Sequence, residues 1–136
     1  MAWKPLILCA DDSPSVLEGQ KMLLEENGYR VLTATNGAEA VEAFLSHSVD
    51  LVLVDYHMPG MNGGVAATRM KDRNSDVPIV LLSGDEEVPT RDLEAIDCFL
   101  SKGEPIGSFL ERVDHLLSLR YLLRPFSTPG GSAVEG

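Results

Sequence analysis

The chain has few cysteines, few basic residues and no long apolar run. Its 136 residues include two cysteines, so a fold built on many disulfides is excluded. Lysine and arginine number 11 against 21 acidic residues, and the resulting net charge of −10 argues against sequence-independent binding to nucleic acid. A solvated acidic surface is the common meaning of such a charge, although it also suits a protein that gathers divalent cations. No segment approaches the ~20 apolar residues of a membrane-spanning helix.

The composition is that of one globular domain. Hydrophobic residues make up 44% of the chain, which is enough to bury a core. We expect residues 1–124 to form this domain and residues 125–136, rich in serine, proline and glycine, to form a flexible tail. The N-terminus lacks the basic and apolar regions of a signal peptide, so we expect a cytoplasmic protein without membrane insertion.

Five strand-like segments alternate with five helix-like segments. Strands are predicted at residues 6–10, 30–34, 50–55, 78–82 and 97–101. Ser13 with Pro14 predicts the start of the first helix, and Asn36 can cap the second. The third helix should follow Gly63 and reach about residue 73. An apolar stripe predicts a last helix that begins at Pro105 and ends at Pro125; its members are Ile106, Phe109, Leu110, Val113, Leu116 and Leu117.

This alternation predicts an α/β fold, a doubly wound (βα)5 three-layer sandwich. The best arrangement of its five parallel strands is the flavodoxin-like order 2-1-3-4-5. In that order the first and fifth strands lie roughly 14 Å apart, at ~4.8 Å per strand spacing. Cys9 and Cys98 fall in these two strands, so we expect both to be buried free thiols, because bridged Cα atoms lie within ~7 Å of each other.

Polar residues stand where four of the predicted strands end. Asp11 and Asp12 follow the first strand, Asp55 ends the third, Ser83 follows the fourth and Lys102 follows the fifth. The C-terminal ends of parallel strands meet at one edge of the sheet, which is where ligands bind in open α/β folds. We therefore expect three carboxylates, a hydroxyl and an ammonium group to gather there.

This set of groups suits phosphoryl transfer. Three crowded carboxylates disfavour one another's charged forms unless a cation is present, and oxygen ligands favour Mg²⁺. The ammonium group of Lys102 can pair with Asp55 or with an incoming anion. Such groups neutralise the oxygens of a phosphoryl group in transfer, and an aspartate beside them can act as the nucleophile and become an aspartyl phosphate.

Each of these residues also has an ordinary structural interpretation. Asp11 and Asp12 could favour the N-terminus of the first helix, while Asp55, Ser83 and Lys102 could be turn or loop residues. Their recurrence at the same end of successive strands makes the functional interpretation the stronger one.

The three histidines carry less information. His47 and His115 are expected at the surface. His57 lies two residues after Asp55 and must be close to any phosphoryl group there, so we expect its side chain to modulate the chemistry rather than act as the nucleophile.

Together these residues resemble the receiver domain of a two-component response regulator of the CheY-like kind. The resemblance covers about residues 6–123. The matching elements are Asp11-Asp12, Asp55, Met58-Pro59-Gly60-Met61-Asn62-Gly63, Ser83 and Lys102.

The resemblance implies a role for each matching residue. Asp55 would be the phosphoacceptor, and Asp12, Asp55 and the backbone carbonyl of His57 would ligate Mg²⁺ with help from Asp11. Lys102 and Ser83 would contact the phosphoryl group, with Ser83 also acting in the switch. Phe99 stands at the family's aromatic switch position, and its other interpretation is a core aromatic on the last strand.

Two local features depart from the family pattern. Gly103 follows Lys102 where the family usually has proline. The segment from Ser83 to Phe99 is about three residues shorter than usual and contains Pro89, so we expect a fourth helix that is short, at residues 90–95, or irregular.

The resemblance implies a receiver in a phosphorelay, and we expect a stand-alone one, because no DNA-binding or enzymatic output domain follows the matching residues. It would accept a phosphoryl group from a histidine kinase or a phosphotransfer protein and signal to an unknown downstream protein by direct contact. It would not be an enzyme, beyond catalysing its own phosphorylation and dephosphorylation. Two alternatives remain: a receiver-like scaffold that does not switch, and a phosphatase with Asp55 as nucleophile and His57 as general acid.

Overall fold

The computed structural model describes residues 4–84 and 87–127, with the main chain alone for residues 123–127. Its strands are β1 (Leu6–Ala10), β2 (Arg30–Ala34), β3 (Leu51–Asp55), β4 (Ile79–Ser83) and β5 (Cys98–Ser101). Its α-helices are α1 (Pro14–Glu26), α2 (Gly37–Ser46), α3 (Gly63–Arg73) and α4 (Ile106–Ser127). Among the described residues, no helix is both long and apolar enough to cross a membrane.

The five strands form one parallel sheet in the order β2-β1-β3-β4-β5, which confirms the predicted topology. Every residue of β1, β3 and β4 is buried, as expected for strands covered on both faces. The register pairs Asp55 with Leu82 and Ser83 with Ser101. The C-terminal ends of these strands therefore lie side by side at one edge of the sheet.

The two faces of the sheet carry separate hydrophobic cores. On one face Leu8 and Val54 pack with Phe44 of α2 and Met70 of α3. On the other face Ile7 and Leu53 pack with residues of α1 and α4, among them Leu24, Phe109 and Val113. Burial of each large aliphatic side chain contributes about 1.5–3 kcal/mol, so the two cores hold all five strands in a fixed register.

Local capping residues begin the helices as the sequence indicates. The Ser13 hydroxyl accepts a hydrogen bond from the Val16 amide at 3.4 Å, with Pro14 as the first helical residue of α1. The side-chain Oδ1 of Asn36 accepts one from the Glu39 amide at 2.8 Å. Asn62 caps α3 in the same way, although the sequence analysis did not identify it as a cap.

Several predicted boundaries differ from the structure by one or two residues. β3 and β5 each begin one residue later than predicted, and β4 is shifted by one residue, so Ser83 ends β4 instead of following it. Helix α4 continues to Ser127, two residues beyond the predicted end at Pro125. A proline in a terminal turn removes a single main-chain hydrogen bond, so it need not end the helix. The predicted tail lies, from residue 128 onward, outside the described residues.

The segment predicted as a short or irregular fourth helix forms a single 3₁₀ turn, Thr90–Leu93. It is shorter than the predicted residues 90–95. Pro89 fixes the start of the turn, where its carbonyl oxygen accepts a hydrogen bond from the Asp92 amide at 2.9 Å. None of the four residues of the turn is buried, so little apolar packing is present to extend it into a longer helix.

Both cysteines are free, which confirms the prediction that they do not pair. Cys9 is buried in β1, where burial raises the pKa of its thiol to about 12. Cys98 is only partly buried, contrary to the prediction, because β5 is an edge strand. Its sulfur accepts a hydrogen bond from the Arg112 guanidinium at 3.3 Å.

Candidate functional site

Three carboxylates converge at the C-terminal edge of the sheet. Asp11 and Asp12 follow β1, Asp55 ends β3, and one carboxylate oxygen of each lies within 4.8 Å of the other two. Asp11 and Asp55 are 1% and 2% exposed, whereas Asp12 is exposed to solvent. Oxygen donors in this arrangement fit a hard divalent cation such as Mg²⁺, with the exposed side left for water.

Lys102 supplies a positive charge to this carboxylate cluster. Its Nζ lies 2.9 Å from Oδ1 of Asp55 and 3.3 Å from Oδ2 of Asp11, so the ammonium group bridges the two buried aspartates. Its main-chain amide donates to the carbonyl oxygen of Ser83 at 2.8 Å, which places the residue directly beyond β5. The lysine side chain is 39% exposed and is therefore reachable from solvent.

The electrostatic environment disfavours the charge on Asp55. Burial raises the pKa of the Asp55 carboxyl; the hydrogen bond from Lys102 opposes this effect, and the charges of Asp11 and Asp12 add to it. Partial burial lowers the pKa of Lys102, but Asp55 and Asp11 outweigh burial and the pKa is raised overall. The carboxylate cluster therefore favours additional positive charge beside Asp55.

Ser83 places a hydroxyl group at the end of the neighbouring strand. The side chain is fully buried, and among the described residues its Oγ has no hydrogen-bond partner. A buried hydroxyl without a partner costs about 1–3 kcal/mol, so its presence calls for an explanation. That the Ser83 hydroxyl contacts a phosphoryl group at this edge of the sheet stays a prediction.

Main-chain contacts orient the two buried aspartates. Oδ1 of Asp11 accepts a hydrogen bond from the Ser13 amide at 2.9 Å, which leaves Oδ2 directed at Lys102. A Cβ on Gly63 would lie 2.5 Å from the main-chain oxygen of Asp55, so only glycine allows α3 to begin this close to β3. Gly60 has a φ of +80°, in the left-handed region that glycine adopts readily.

The remaining predicted residues lie further out. His57 is exposed, and its ring meets that of Tyr56 edge-on with centroids 5.0 Å apart. Phe99 is 47% exposed, so its interpretation as a core aromatic is wrong. It is paired with Leu81 and shares the sheet face that α2 and α3 cover elsewhere, but the 3₁₀ turn does not bury it. The roles of His57 and Phe99 at the site stay predictions.

Sequence reasoning missed two residues beside the carboxylate cluster. The Tyr56 hydroxyl donates a hydrogen bond to Oδ2 of Asp92 at 2.6 Å. This contact joins the residue after Asp55 to the 3₁₀ turn. The sequence did contain one hint of this contact, the Gly63-Gly64 pair. Two successive glycines at a helix start indicate that other chain segments approach closely there.

Comparison with known proteins identifies the family. The response regulator receiver domain family matches residues 7–113, so the chain belongs to this family. Receiver domains are signalling domains rather than classical enzymes, and histidine kinases or phosphotransfer proteins phosphorylate them.

Two curated relatives are considerably longer than this chain. It is 37% identical over 119 residues to the autoinducer 1 sensor kinase/phosphatase LuxN of Vibrio campbellii, which covers 88% of this chain and 13% of LuxN. It is 33% identical over 119 residues to the transcriptional regulatory protein PrrA of Mycobacterium tuberculosis, covering 85% of this chain and 51% of PrrA.

Solved structures agree with the fold. The response regulator TrrA of Thermotoga maritima, in complex with Mg²⁺ and BeF, aligns with a TM-score of 0.78 and 34% identity over 82% of this chain and 98% of that one. A CheY-like receiver domain protein of Methanospirillum hungatei aligns with a TM-score of 0.83 over 88% of this chain and 98% of that one; at 22% identity this likeness concerns the fold alone.

Proposed function

We propose that the chain is a phosphoacceptor switch in which Asp55 receives a phosphoryl group from a histidine kinase or a phosphotransfer protein. The observation that carries this proposal is the position of Asp55: its Oδ1 lies 2.9 Å from Lys102 Nζ and belongs to a cluster of three carboxylates. A nucleophilic carboxylate, a counter-charge and a cation site are the groups that phosphoryl transfer to an aspartate requires.

In this mechanism Asp55 attacks the phosphorus of a phosphohistidine. The new P–O bond forms as the P–N bond breaks, and the donor imidazole leaves with the electron pair of that bond. Lys102 neutralises the oxygens of the transferred group, and the Ser83 hydroxyl donates a hydrogen bond to one of them. Asp11, Asp12, Asp55 and the His57 carbonyl would hold Mg²⁺, which supplies further charge neutralisation when bound.

The phosphoryl group acts as a switch by drawing on groups from neighbouring strands. Ser83 ends β4, so its movement toward Asp55 shifts the end of that strand. Phe99 lies on the adjacent β5 with a half-exposed ring, and we propose that it changes rotamer in response. The domain then signals by protein–protein contact, and we propose a cytoplasmic location for this exchange.

That the chain works as a stand-alone receiver remains a prediction. The matched part makes up 13% of LuxN and 51% of PrrA, so these relatives contain much more than a receiver. A scaffold that does not switch is the second candidate, because the single 3₁₀ turn and Gly103 depart from the family pattern. Family membership disfavours the phosphatase alternative.

The proposal is tested by incubating the protein with acetyl phosphate and Mg²⁺ and measuring its intact mass. We expect a gain of one phosphoryl group in the wild type and none in Asp55→Asn. Asp114→Asn provides the matched control, because Asp114 bonds Tyr29 on the surface away from the carboxylate cluster. Equal labelling of wild type and Asp55→Asn would contradict the proposal.

A further inference from the structure

Tyr56 connects three elements around Asp55 through its main chain. Its amide donates to the carbonyl oxygen of Leu82 at 2.8 Å, next to Ser83 in β4. Its carbonyl oxygen accepts from the amide of Gly63, the first residue of α3, at 2.9 Å. A displacement at the end of β3 or β4 therefore moves Tyr56.

The side chain of Tyr56 extends this connection to the segment after β4. Its hydroxyl donates to Oδ2 of Asp92 at 2.6 Å in a partly buried position. That length is typical of charge-assisted O–H···O⁻ hydrogen bonds, which are about twice as strong as neutral ones. Asp92 belongs to the 3₁₀ turn, so this bond ties the turn to the residue next to Asp55.

The turn also lies directly against the first turn of α3. A Cβ on Gly64 would come within 2.7 Å of the Asp92 Cβ and would overlap the Asp92 main-chain oxygen. Partly buried side chains on both sides of the turn, including Val88 and Ile96, pack against the core. The position of Asp92 is therefore fixed relative to Tyr56 and α3 together.

The far end of the same segment is anchored separately. Oδ2 of Asp97 accepts a hydrogen bond from the Ile79 amide at 2.8 Å and pairs with Lys71 Nζ at 2.6 Å. These contacts lie at the opposite end of β4 from Asp55, so a change at Asp55 need not alter them. The segment thus has a fixed end at Asp97 and a contact at Asp92 that responds to movement of Tyr56.

We propose that Tyr56 and Asp92 are positioning residues for the reaction at Asp55, and that their hydrogen bond resists the rearrangement that a bound phosphoryl group requires. This inference rests on the proposed function. In the structure the bond coexists with the direct Asp55–Lys102 ion pair. A phosphoryl group between those two residues that also engages Ser83 draws the end of β4, and Tyr56 with it, out of this arrangement. Weakening the Tyr56–Asp92 bond therefore favours the phosphorylated arrangement.

The experiment compares the affinity of variants for beryllofluoride, which mimics the phosphoryl group, by calorimetric titration at saturating Mg²⁺. We expect Tyr56→Phe and Asp92→Ala each to bind it about fivefold more tightly than the wild type, at the lower end of common coupling effects. The double variant should show the gain of one single variant rather than their product, because both changes remove the same bond.

Tyr29→Phe is the matched control. It also removes a tyrosine–aspartate hydrogen bond, from Tyr29 to Asp114 at 3.1 Å, but one between the start of β2 and α4, away from Asp55. Its affinity for beryllofluoride should equal that of the wild type. A merely structural role for Tyr56 would lower thermal stability and leave the affinity unchanged.

The outcomes separate the two proposals. Binding by the wild type with unchanged or weaker binding by both Tyr56→Phe and Asp92→Ala would overturn the positioning role and leave the function of Asp55 intact. Failure of the folded wild type to bind beryllofluoride would overturn the proposed function, and the positioning role with it. Tighter binding by the Tyr56 and Asp92 variants, with no change in Tyr29→Phe, would support both.

Discussion

The carboxylate cluster and the segment after β4 lie side by side, yet they are held in different ways. The cluster stands on the ends of buried parallel strands, and Asp11, Asp55 and Lys102 contact one another directly. The segment from residue 87 to 97 contains one 3₁₀ turn with no buried residue and leaves Phe99 half exposed. The carboxylate cluster is thus rigidly positioned, while the neighbouring segment has less packing to hold it in one arrangement.

Truncating one phenylalanine near each region tests whether the two regions differ in packing. Phe44→Ala removes a ring from the core under α2 and should cost about 3–5 kcal/mol in the free energy of unfolding. Phe99→Ala should cost less than about 1 kcal/mol, because nearly half of its surface is already exposed. Urea unfolding measures both values. Equal losses would show that residues 87–97 pack over Phe99 as firmly as α2 packs over Phe44.

Two adjacent glycines at the start of α3 each lie against one of the two regions: Gly63 against the end of β3, and Gly64 against the 3₁₀ turn. Gly63→Ala should lower the free energy of unfolding by about 1–3 kcal/mol, because the new Cβ meets the Asp55 main chain and Leu81. Gly64→Ala should cost a similar amount, because the added Cβ would overlap the Asp92 main-chain oxygen, and the main chain of the 3₁₀ turn must shift to make room. Gly19→Ala in α1 is the control: no neighbour lies within 4 Å, and the change should stabilise the helix by about 0.5–1 kcal/mol.

Mg²⁺ should stabilise the protein through the carboxylate cluster. Each tenfold increase in Mg²⁺ above its Kd should raise the free energy of unfolding by about 1.4 kcal/mol in the wild type, because the ion binds the folded state. Asp55→Asn should lose most of this dependence, since it removes one of the three carboxylates. Thermal unfolding across a Mg²⁺ series checks this, and an equal response of both proteins would contradict the assigned metal ligands.

The smallest expected change in the free energy of unfolding is at Tyr29, which lies outside both regions. Burial, followed by the charge of Asp114 and the hydrogen bond to it, raises the pKa of Tyr29 to about 12. The pKa of Tyr29 in the folded state lies above the unfolded value of about 10. The contribution of the tyrosine to the free energy of unfolding is therefore complete below pH ~10 and is lost as the pH rises toward 12. Tyr29→Phe should cost about 0.5 kcal/mol at neutral pH and remove that loss. If the wild type and Tyr29→Phe lost stability in the same way between pH 9 and 12, this contribution of Tyr29 would be contradicted.

Much of the fold follows from local signals in the sequence. Apolar runs of strand length, the Ser13-Pro14 start of α1 and the Asn36 cap are short-range features, and the structure has an element at each. The parallel topology then brings Asp11, Asp55, Ser83 and Lys102 together, because all of them stand at the same end of their strands. This part of the candidate site could be predicted without coordinates.

The remaining features depend on packing between distant segments. The Tyr56–Asp92 hydrogen bond joins residues 36 positions apart, and it forms only because the segment after β4 closes as a 3₁₀ turn against α3. The exposure of Phe99 likewise depends on how the segment after β4 packs over β5, which the residues around Phe99 do not reveal. Pro125 was expected to end α4, but its effect is confined to the terminal turn. No periodic pattern in the sequence reports these contacts.

Locating the acyl phosphate in the chain tests whether Asp55 is the phosphoacceptor. After incubation with acetyl phosphate and Mg²⁺, borohydride reduction converts a phosphorylated aspartate into homoserine, which peptide mass spectrometry identifies by position. We expect homoserine at position 55 and unmodified aspartate at positions 11 and 12. Homoserine at position 11 or 12, or none in the folded protein, would contradict this role of Asp55.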